Sequence, residues 1–156
     1  MLFVCLGNIC RSPTVEGVFR HLAALEAAPL GIAADSAGTS RYHIGARPDP
    51  RSVHAARRRG VDLSSLRARQ VVAADFSRFD LILAMDHANL RELQALRPKG
   101  ATAQIRLFLE YAPHTGVLEV PDPYQGAEQD FETVLDLAFT GSSGLLQTLR
   151  TLHQVP

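Results

Sequence analysis

The sequence predicts an α/β fold, namely a three-layer α/β/α sandwich around a four-stranded parallel sheet with strand order 2-1-3-4. Short apolar runs alternate with helical stretches along the chain of 156 residues. The apolar runs are continuous rather than alternating, which is typical of parallel strands buried on both faces. No repeat, low-complexity segment or interdomain linker is visible, so we expect a single domain spanning residues 1–156.

In the first half of the chain, apolar runs indicate the strands, while capping residues and periodicity indicate the helices. Pro13 suits the start of the first helix because its missing N–H needs no partner there. Gly60 suits the end of the second helix. In chain order we predict a strand at 2–4, a helix at 13–27, a strand at 31–37, a loop at 38–50, a helix at 51–59 and an irregular segment at 63–70.

The second half continues the alternation and ends in a long helical segment. Asp86 is a suitable N-cap for the helix that follows the third strand. Gly141 and Gly144 lie in the middle of the last apolar pattern, so a break in that helix stays open. In chain order we predict a strand at 80–85, a helix at 87–96, a weaker strand at 103–107, a loop at 117–126 and a helical segment at 130–152.

The charge balance argues against two classes of partner. Sixteen basic and sixteen acidic residues cancel, which gives no support to binding of nucleic acid or of a membrane surface. We assign the basic run at residues 57–59 to the solvated face of a helix. The oligomeric state is left open.

The N-terminal residues and the cysteines favour the cytoplasm. The chain enters its first strand at Met1 without a basic leader or an apolar stretch of spanning length, so we expect neither a signal peptide nor a membrane span. The two cysteines, Cys5 and Cys10, lie in one short segment, so no disulfide framework is distributed over the fold. We therefore expect a cytoplasmic protein.

The turn between the first strand and the first helix carries the most informative motif. Successive backbone N–H groups in such a turn can form a nest that faces a helix N-terminus and binds anions. In a sheet of this order the turn lies at the topological switch point, where ligands bind. The motif reads Cys5-Leu6-Gly7-Asn8-Ile9-Cys10-Arg11-Ser12. A thiol and a guanidinium in one anion-binding turn predict cleavage of a phosphate ester through a phosphocysteine.

Several positions of the motif suit this chemistry. The N–H groups, the helix N-terminus and Arg11 favour the thiolate of Cys5, and Arg11 can bind two phosphoryl oxygens at once. Gly7 lets the backbone approach the ligand, and Asn8 tolerates a left-handed conformation. The Ser12 hydroxyl can donate to the Cys5 sulfur when that sulfur is the leaving group.

Two other interpretations, buried structural cysteines and a zinc site, explain the motif less well. If Cys5 and Cys10 were only small buried side chains, Arg11 would be a charge beside a buried turn without an obvious purpose. Two cysteines do not complete a tetrahedral zinc site, and none of the six histidines is spaced to help. We therefore expect no metal and no organic cofactor.

Two further residues each have two open roles. Cys10 is suited either to trap an oxidised Cys5 as a reversible disulfide or to pack under the loop. Asp122, in the segment Asp122-Pro123-Tyr124, is the candidate acid for the leaving oxygen and the candidate base for the second step. That role calls for a partly enclosed site that keeps the carboxyl protonated. Aspartate before proline also starts Asx turns.

Residues 4–13, together with Asp122-Pro123-Tyr124, resemble the low-molecular-weight protein tyrosine phosphatases. A cysteine and an arginine separated by five residues occur in other phosphatases, but this placement at the N-terminus, with Asp-Pro-Tyr near the other end, is specific. Further segments that resemble the family are residues 35–40, 44–45, 67–70, 86, 89–90 and 130–132. The resemblance implies hydrolysis of phosphotyrosine in proteins or of small aryl phosphates.

The resemblance also implies a role for each site residue. Cys5 is the nucleophile, Arg11 the phosphate clamp, Ser12 the stabiliser of the thiolate, and Asp122 the general acid and then the general base. The phosphate-binding loop between Cys5 and Arg11 consists of Leu6, Gly7, Asn8, Ile9 and Cys10. Asn8 and Ser36 belong to a hydrogen-bond network that supports the loop. Ile9, Tyr42 and Tyr124 wall the pocket that holds the phosphotyrosine ring.

Two positions depart from the family pattern. Many relatives have a histidine where this chain has Leu66, and that histidine joins the network behind the loop. Many relatives also have a second aromatic residue where this chain has Gln125. The first departure removes a partner of Asn8 and Ser36, and the second leaves the pocket more open and more polar on one side.

Three alternative functions are weighed against this interpretation. Thiol-dependent arsenate reductases share the fold but pass electrons through further cysteines, and this chain has none after Cys10. Phosphoarginine phosphatases tend to have threonine at the position of Ile9. Isoleucine is bulkier and lacks the hydroxyl, so this chain favours a phenyl ring over a guanidinium. The third alternative is a phosphate-binding module without catalytic activity, against which stand a complete nucleophile, clamp and acid.

Overall fold

Four parallel strands form the centre of the structure. The computed structural model describes residues 1–26 and 30–154. The strands are β1 (Leu2–Cys5), β2 (Asp35–Gly38), β3 (Leu81–Ala84) and β4 (Gln104–Leu107). Their order in the sheet is β2-β1-β3-β4, and every neighbouring pair is parallel. The predicted topology is therefore confirmed.

Helices cover both faces of this sheet. They are α1 (Arg11–Glu26), α2 (Pro50–Arg58), α3 (Asp75–Arg78), α4 (His87–Leu96) and α5 (Glu128–Gln154). Phe3 and Leu83 pack with α1 and α5 in one core cluster. Val4 and Ile82 pack with α3 and α4 in a second cluster on the other face. The alternation of side chains along β1 and β3 thus divides the core into two layers, as the three-layer prediction requires.

Strand β2 is shorter than the sequence predicts. It begins at Asp35, where the register pairs Asp35 with Leu2, and not at Gly31. Gly31 has a φ of 59°, which is a left-handed conformation that a strand does not contain. It ends at Gly38, one residue later than predicted, so the loop that follows starts at Thr39. Ala27, predicted as the last residue of the first helix, lies outside the described residues.

Several short helical elements escape the sequence prediction because they are too short to show periodicity. These are α3 and two 3₁₀ helices at Phe108–Tyr111 and Pro113–Thr115. The start of α2 is one residue earlier than predicted, because Pro50 follows an Asp49 cap that accepts the backbone N–H of Arg51. That helix ends at Arg58 rather than at residue 59.

The basic run at 57–59 is only partly directed to solvent. Arg57 and Arg58 are exposed, as predicted. Arg58 and Arg59, however, also reach across to α5, where they form ion pairs with Glu128, Glu132 and Asp136. The run therefore joins α2 to α5 as well as facing water.

Helix α5 is continuous from Glu128 to Gln154, so no break occurs at its two central glycines. These glycines serve a different purpose. A Cβ atom at Gly141 would overlap the ring of Phe108, and one at Gly144 would overlap the carbonyl oxygen of Tyr111. The missing side chains therefore let α5 pack directly against the 3₁₀ helix after β4. No helix among the described residues is long and apolar enough to cross a bilayer.

The close contact at Gly144 gives a test of this packing. Alanine normally stabilises a helix interior by about 1 kcal/mol relative to glycine. Here we expect Gly144→Ala to lower the free energy of unfolding by about 1–3 kcal/mol, because the rigid Tyr111 backbone must move. Urea denaturation measures the change, and Ser143→Ala on the exposed side of α5 is the matched control. Stabilisation by Gly144→Ala would contradict the packing described here.

Candidate active site

The segment between β1 and α1 forms an anion-binding nest. Cys5 ends β1 and Arg11 begins α1, and each residue is only 3% exposed. Asn8 has a φ of 57° and is the sole non-glycine residue with positive φ among residues 1–26 and 30–154. Its backbone N–H donates to Cys5 Sγ at 3.3 Å. A left-handed residue in a short loop turns successive N–H groups toward one side.

Four carbonyls of this segment accept hydrogen bonds from donors outside the concavity. The carbonyls of Cys5 and Leu6 accept from the N–H groups of Thr39 and Ser40, at 2.9 Å and 3.0 Å. The Ile9 carbonyl accepts from the Asp49 N–H at 2.8 Å. In addition, the Cys10 carbonyl accepts from a threonine hydroxyl of α1. With these oxygens turned outward, the N–H groups remain free for an anion.

Gly38 allows the loop to lie this close to the sheet. A Cβ atom at Gly38 would be 2.6 Å from the Leu6 carbonyl oxygen. Gly7 has a similar role at the rim, because a Cβ there would be 2.9 Å from the ring of His43. Any larger residue at either position would displace the loop or its neighbour.

A cavity of about 160 Å³ opens over the nest. It brings together most of the residues that the sequence analysis singled out. The residues that line it are Cys5, Leu6, Gly7, Ile9, Cys10, Arg11, Tyr42, His43, Asp122 and Tyr124. Three other predicted site residues, Asn8, Ser12 and Ser36, lie behind the loop instead. His43 is the one lining residue that the sequence analysis did not name.

Arg11 is held in place by Asp86, which follows the neighbouring strand β3. Its Nη1 is 2.6 Å from Asp86 Oδ2 and donates also to the Val120 carbonyl at 3.2 Å. Burial alone would lower the pKa of Arg11, but the negative charges of Cys5 and Asp86 outweigh it and raise the pKa. Arg11 is therefore a permanent cation whose position is fixed.

Asp86 was expected only as a helix cap, and it fills that role as well. Its Oδ1 accepts the backbone N–H of Asn89 at 2.7 Å, while its Oδ2 binds Arg11. One carboxylate thus joins the start of α4 to the cation of the site. Its position after the carboxyl end of β3, at the sheet edge that holds the nest, was the signal available in the sequence.

A chain of hydrogen bonds runs from the back of the loop to the Cys5 sulfur. The Asn8 side-chain Nδ2 donates to Ser12 Oγ at 2.8 Å and to Ser36 Oγ at 3.0 Å. Ser12 Oγ is 3.0 Å from Cys5 Sγ. The Asn8 Oδ1 accepts the backbone N–H of Arg69 at 3.0 Å. The side chain that fixes the left-handed residue therefore also contacts the group beside the sulfur.

The network continues to Glu16, a residue that the sequence analysis missed. Ser36 Oγ donates to Glu16 Oε1 at 2.6 Å, and the Glu16 side chain is only 2% exposed. Glu16 Oε2 lies 2.8 Å from Arg20 Nη2, an ion pair without hydrogen-bond geometry. Burial raises the pKa of Glu16, and the Ser36 hydroxyl and Arg20 oppose that rise. The helical spacing of Glu16 and Arg20 was the signal available in the sequence.

The directions of these bonds follow from the chemistry of the groups. A carboxylate at Glu16 can only accept, so Ser36 donates to it. The amide nitrogen of Asn8 can only donate, so both serine oxygens accept from it. The Ser12 hydroxyl hydrogen is therefore free to point to Cys5 Sγ, although the Ala37 carbonyl at 3.4 Å is a second acceptor. A thiolate is the stronger acceptor of the two.

Leu66 takes no part in this network. It is partly buried and packs against the apolar core on the α1 side. The Asn8 amide, Ser12 and Ser36 have their hydrogen-bond partners behind the loop without a histidine at position 66. Glu16 Oε2 has only the ion pair with Arg20.

Asp122 forms an Asx turn and also borders the cavity. Its Oδ1 accepts the N–H of Tyr124 at 3.1 Å, which is an Asx turn. Its Oδ2 faces the cavity, 3.6 Å from Arg11 Nη2. The expected enclosure is absent, since 48% of the side chain is exposed. The turn therefore orients the carboxyl over the nest, while water still reaches it.

Two tyrosines stand at the rim, and both are exposed: Tyr42 by 79% and Tyr124 by 47%. The ring of Tyr124 lies 6.4 Å from that of His43. Arg51 donates to the Tyr124 carbonyl at 2.8 Å, and its guanidinium lies 5.7 Å from the ring centroid. Gln125 is exposed beside it, so the rim is open on that side.

Cys10 is a free, buried cysteine under the loop, and Cys5 is also free. Burial raises the pKa of Cys10 to about 12, and the negative charge of Asp49 adds to the rise. At neutral pH Cys10 is therefore a thiol and a poor nucleophile, which favours packing over attack on an oxidised Cys5. No cluster of three or more potential metal ligands occurs within residues 1–26 and 30–154.

Comparison with known proteins places this geometry in a family. The family model described as low molecular weight phosphotyrosine protein phosphatase matches residues 1–155. A low molecular weight protein-tyrosine-phosphatase of Streptomyces coelicolor is 44% identical over 153 residues, covering 95% of this chain and 92% of that protein.

Solved structures agree. A protein tyrosine phosphatase from Entamoeba histolytica, with Hepes in its active site, superposes with a TM-score of 0.91 at 37% identity, covering 97% of each chain. A Drosophila arginine phosphatase superposes with a TM-score of 0.87 at 30% identity, covering 94% of this chain and 95% of that one. The sequence match over nearly every residue and the nest of Cys5 and Arg11 lead to one conclusion: the chain belongs to the low molecular weight protein tyrosine phosphatases, which are phosphoric monoester hydrolases.

Proposed function

We propose that this phosphatase hydrolyses phosphotyrosine monoesters in two steps, through a phosphocysteine on Cys5. The observation that carries the proposal is the position of Cys5 Sγ. It lies at the floor of the nest, within 3.3 Å of the Asn8 N–H and 3.0 Å of Ser12 Oγ, next to the Arg11 cation. A sulfur so placed is stabilised as a thiolate and faces a bound phosphoryl group.

In the first step the loop N–H groups and Arg11 bind the phosphoryl oxygens. The thiolate of Cys5 attacks phosphorus, so that a sulfur–phosphorus bond forms while the bond to the aryl oxygen breaks. Asp122 donates its proton to the leaving oxygen. The phosphoryl oxygens engage the Arg11 guanidinium, whose Nη2 lies 3.6 Å from Asp122 Oδ2.

In the second step water attacks the phosphocysteine. Asp122 accepts a proton from the water, the sulfur–phosphorus bond breaks, and inorganic phosphate leaves. The Ser12 hydroxyl donates to the departing thiolate at the 3.0 Å contact. Arg11, anchored by Asp86, neutralises the charge on the phosphoryl oxygens in both steps.

The rim indicates the substrate. Ile9, Tyr42 and Tyr124 present apolar and flat surfaces that suit an aryl ring. The likeness to an arginine phosphatase supports phosphoarginine as a second candidate. The side chain of Ile9 has no polar atom to bind a guanidinium, so we favour phosphotyrosine in a protein, or a small aryl phosphate. Because the mechanism needs a reduced Cys5, we also propose that the protein acts in the cytoplasm.

Replacement of the nucleophile tests the two-step mechanism. We expect Cys5→Ser to reduce turnover of an aryl phosphate by at least roughly 10⁴-fold. Phosphate binding should survive, because the N–H groups and Arg11 remain; isothermal titration calorimetry measures it.

The same assay, run on the wild type with matched phosphotyrosine and phosphoarginine peptides, identifies the substrate. We expect the larger kcat/KM for the phosphotyrosine peptide. Normal turnover by Cys5→Ser would exclude the phosphocysteine, and a preference for phosphoarginine would reassign the substrate.

The acid role of Asp122 predicts a dependence on the leaving group. We expect Asp122→Ala to slow hydrolysis by about 10²–10⁴-fold for aryl phosphates whose phenol has a high pKa. The loss should shrink for activated esters, whose leaving oxygen needs no proton. A series of substituted phenyl phosphates measures the slope, and Glu92→Ala, an exposed carboxylate on α4, is the control. An equal loss over the whole series would refute the assignment.

The network behind the loop makes Glu16 a positioning residue. In Glu16→Gln the Ser36 hydroxyl loses its carboxylate acceptor, so Ser36 holds the Asn8 side chain beside Ser12 less firmly. We expect kcat to fall by about five- to tenfold with little change in KM. The acidic limb of the pH–rate profile should move to higher pH.

A double-mutant cycle separates this effect from a general loss of stability. Ser36→Ala breaks the same chain one bond further on, so Glu16→Gln and Ser36→Ala together should cost no more than either alone. Additive losses, or an unmoved pH profile, would show that Glu16 only packs.

A further inference from the structure

One segment of the chain has a large excess of positive charge. Residues 39–70 contain eight arginines and two aspartates, although the whole chain is neutral. Four of these arginines are engaged in ion pairs, with Asp49, with carboxylates of α5, or with Asp35 and Asp75. The other four form no ion pair with any described residue; they are Arg41, Arg47, Arg57 and Arg67.

Two of the unpaired arginines line a second cavity. Arg47 and Arg57 border a groove of about 320 Å³, together with His54 and the apolar side chains of Pro48, Pro50 and Val53. All three basic side chains are exposed. The Asp62 carboxylate is close enough to Arg57 to feel its charge, but it already accepts hydrogen bonds from Ser64. The groove thus presents basic groups above an apolar floor.

The groove adjoins the catalytic cavity. The Asp49 N–H donates to the carbonyl of Ile9, which lines the catalytic cavity. The two chain neighbours of Asp49, Pro48 and Pro50, line the groove. The two cavities are therefore separated by the thickness of one peptide chain. An extended peptide advances about 3.3 Å per residue, so a residue about two to four positions from a bound phosphotyrosine reaches the groove.

Asp122 is the acidic residue that lines the catalytic cavity. Residues 119–136 contain six acidic residues and no lysine or arginine, but Glu128, Glu132 and Asp136 are paired with Arg58 and Arg59. Acidic side chains of a substrate are therefore opposed beside Asp122 and attracted at the groove.

We propose that the groove of Arg47, His54 and Arg57 binds acidic side chains of the substrate, about two to four residues from the phosphotyrosine on one side. This inference rests on the proposed function. It assigns the enzyme a substrate class, namely phosphotyrosine in acidic sequences. A negatively charged membrane is the other partner that a basic surface could bind, but the recessed groove beside the pocket and the neutral net charge favour a peptide.

The test compares three phosphotyrosine peptides that differ only in charge. One has aspartates two to four residues before the phosphotyrosine, one has them after it, and one has asparagines at both places. We expect kcat/KM for one acidic peptide to exceed that for the neutral peptide by about three- to tenfold, since exposed ion pairs contribute modestly. The preference should weaken as salt rises.

Variants test whether the preference for an acidic peptide comes from the arginines of the groove. In the double variant Arg47→Gln/Arg57→Gln the ratio of acidic to neutral kcat/KM should fall below about twofold. Arg91→Gln, which removes an exposed arginine on α4, should keep the wild-type ratio.

Three outcomes would overturn the inference: equal rates on all three peptides, a preference that survives the double variant, or binding to phosphatidylserine vesicles that needs these arginines and occurs without peptide preference. Failure of the wild type to hydrolyse even the neutral phosphotyrosine peptide would instead overturn the proposed function.

Discussion

The site depends on the left-handed conformation of Asn8. For an L-residue this conformation costs about 1–2 kcal/mol, and here three hydrogen bonds of the side chain offset it, to Ser12, Ser36 and the backbone of Arg69. The turn at Asn8 brings its N–H to the Cys5 sulfur. This turn also goes with the outward pairing of the carbonyls of Cys5, Leu6, Ile9 and Cys10, so that the concavity presents N–H groups. The same side chain that stabilises the backbone also sets the hydrogen bond of Ser12, so loop shape and sulfur chemistry share one cause.

Two carboxylates act at a distance from the reacting atoms, each through a different partner. Glu16 accepts from the Ser36 hydroxyl, which in turn holds the Asn8 side chain beside Ser12, and Asp86 fixes the Arg11 guanidinium while it caps α4. Both carboxylates lie where buried polar groups of the fold need a hydrogen-bond partner in any case, Glu16 at a buried helix face and Asp86 at a helix N-terminus. The arrangement of the site therefore follows from the satisfaction of buried polar groups rather than from added elements. Asn8 and Ser36 have their partners although position 66 is a leucine.

Sequence reasoning located the parts of the structure that local chemistry determines. The buried strands, the strand order and the placement of Cys5, Arg11 and Asp122 around one cavity follow from apolar runs, the parallel-sheet rule and a short motif. Contacts between distant segments were not visible. The bond from Ser36 to Glu16 joins residues 20 positions apart, and Gly144 fits α5 against a carbonyl of another element. The start of β2 also depends on its register with β1, and a run of apolar residues carries no information about that register.

The account is tested most directly by rapid-quench mass spectrometry of the wild type with an aryl phosphate. The prediction is a phosphoryl group on Cys5 that appears during the first turnover and decays as phosphate is released. Ser12→Ala should increase the amount trapped, because the departing thiolate loses its donor at the 3.0 Å contact. Normal catalysis with no phosphorylated Cys5 at any time would contradict the account.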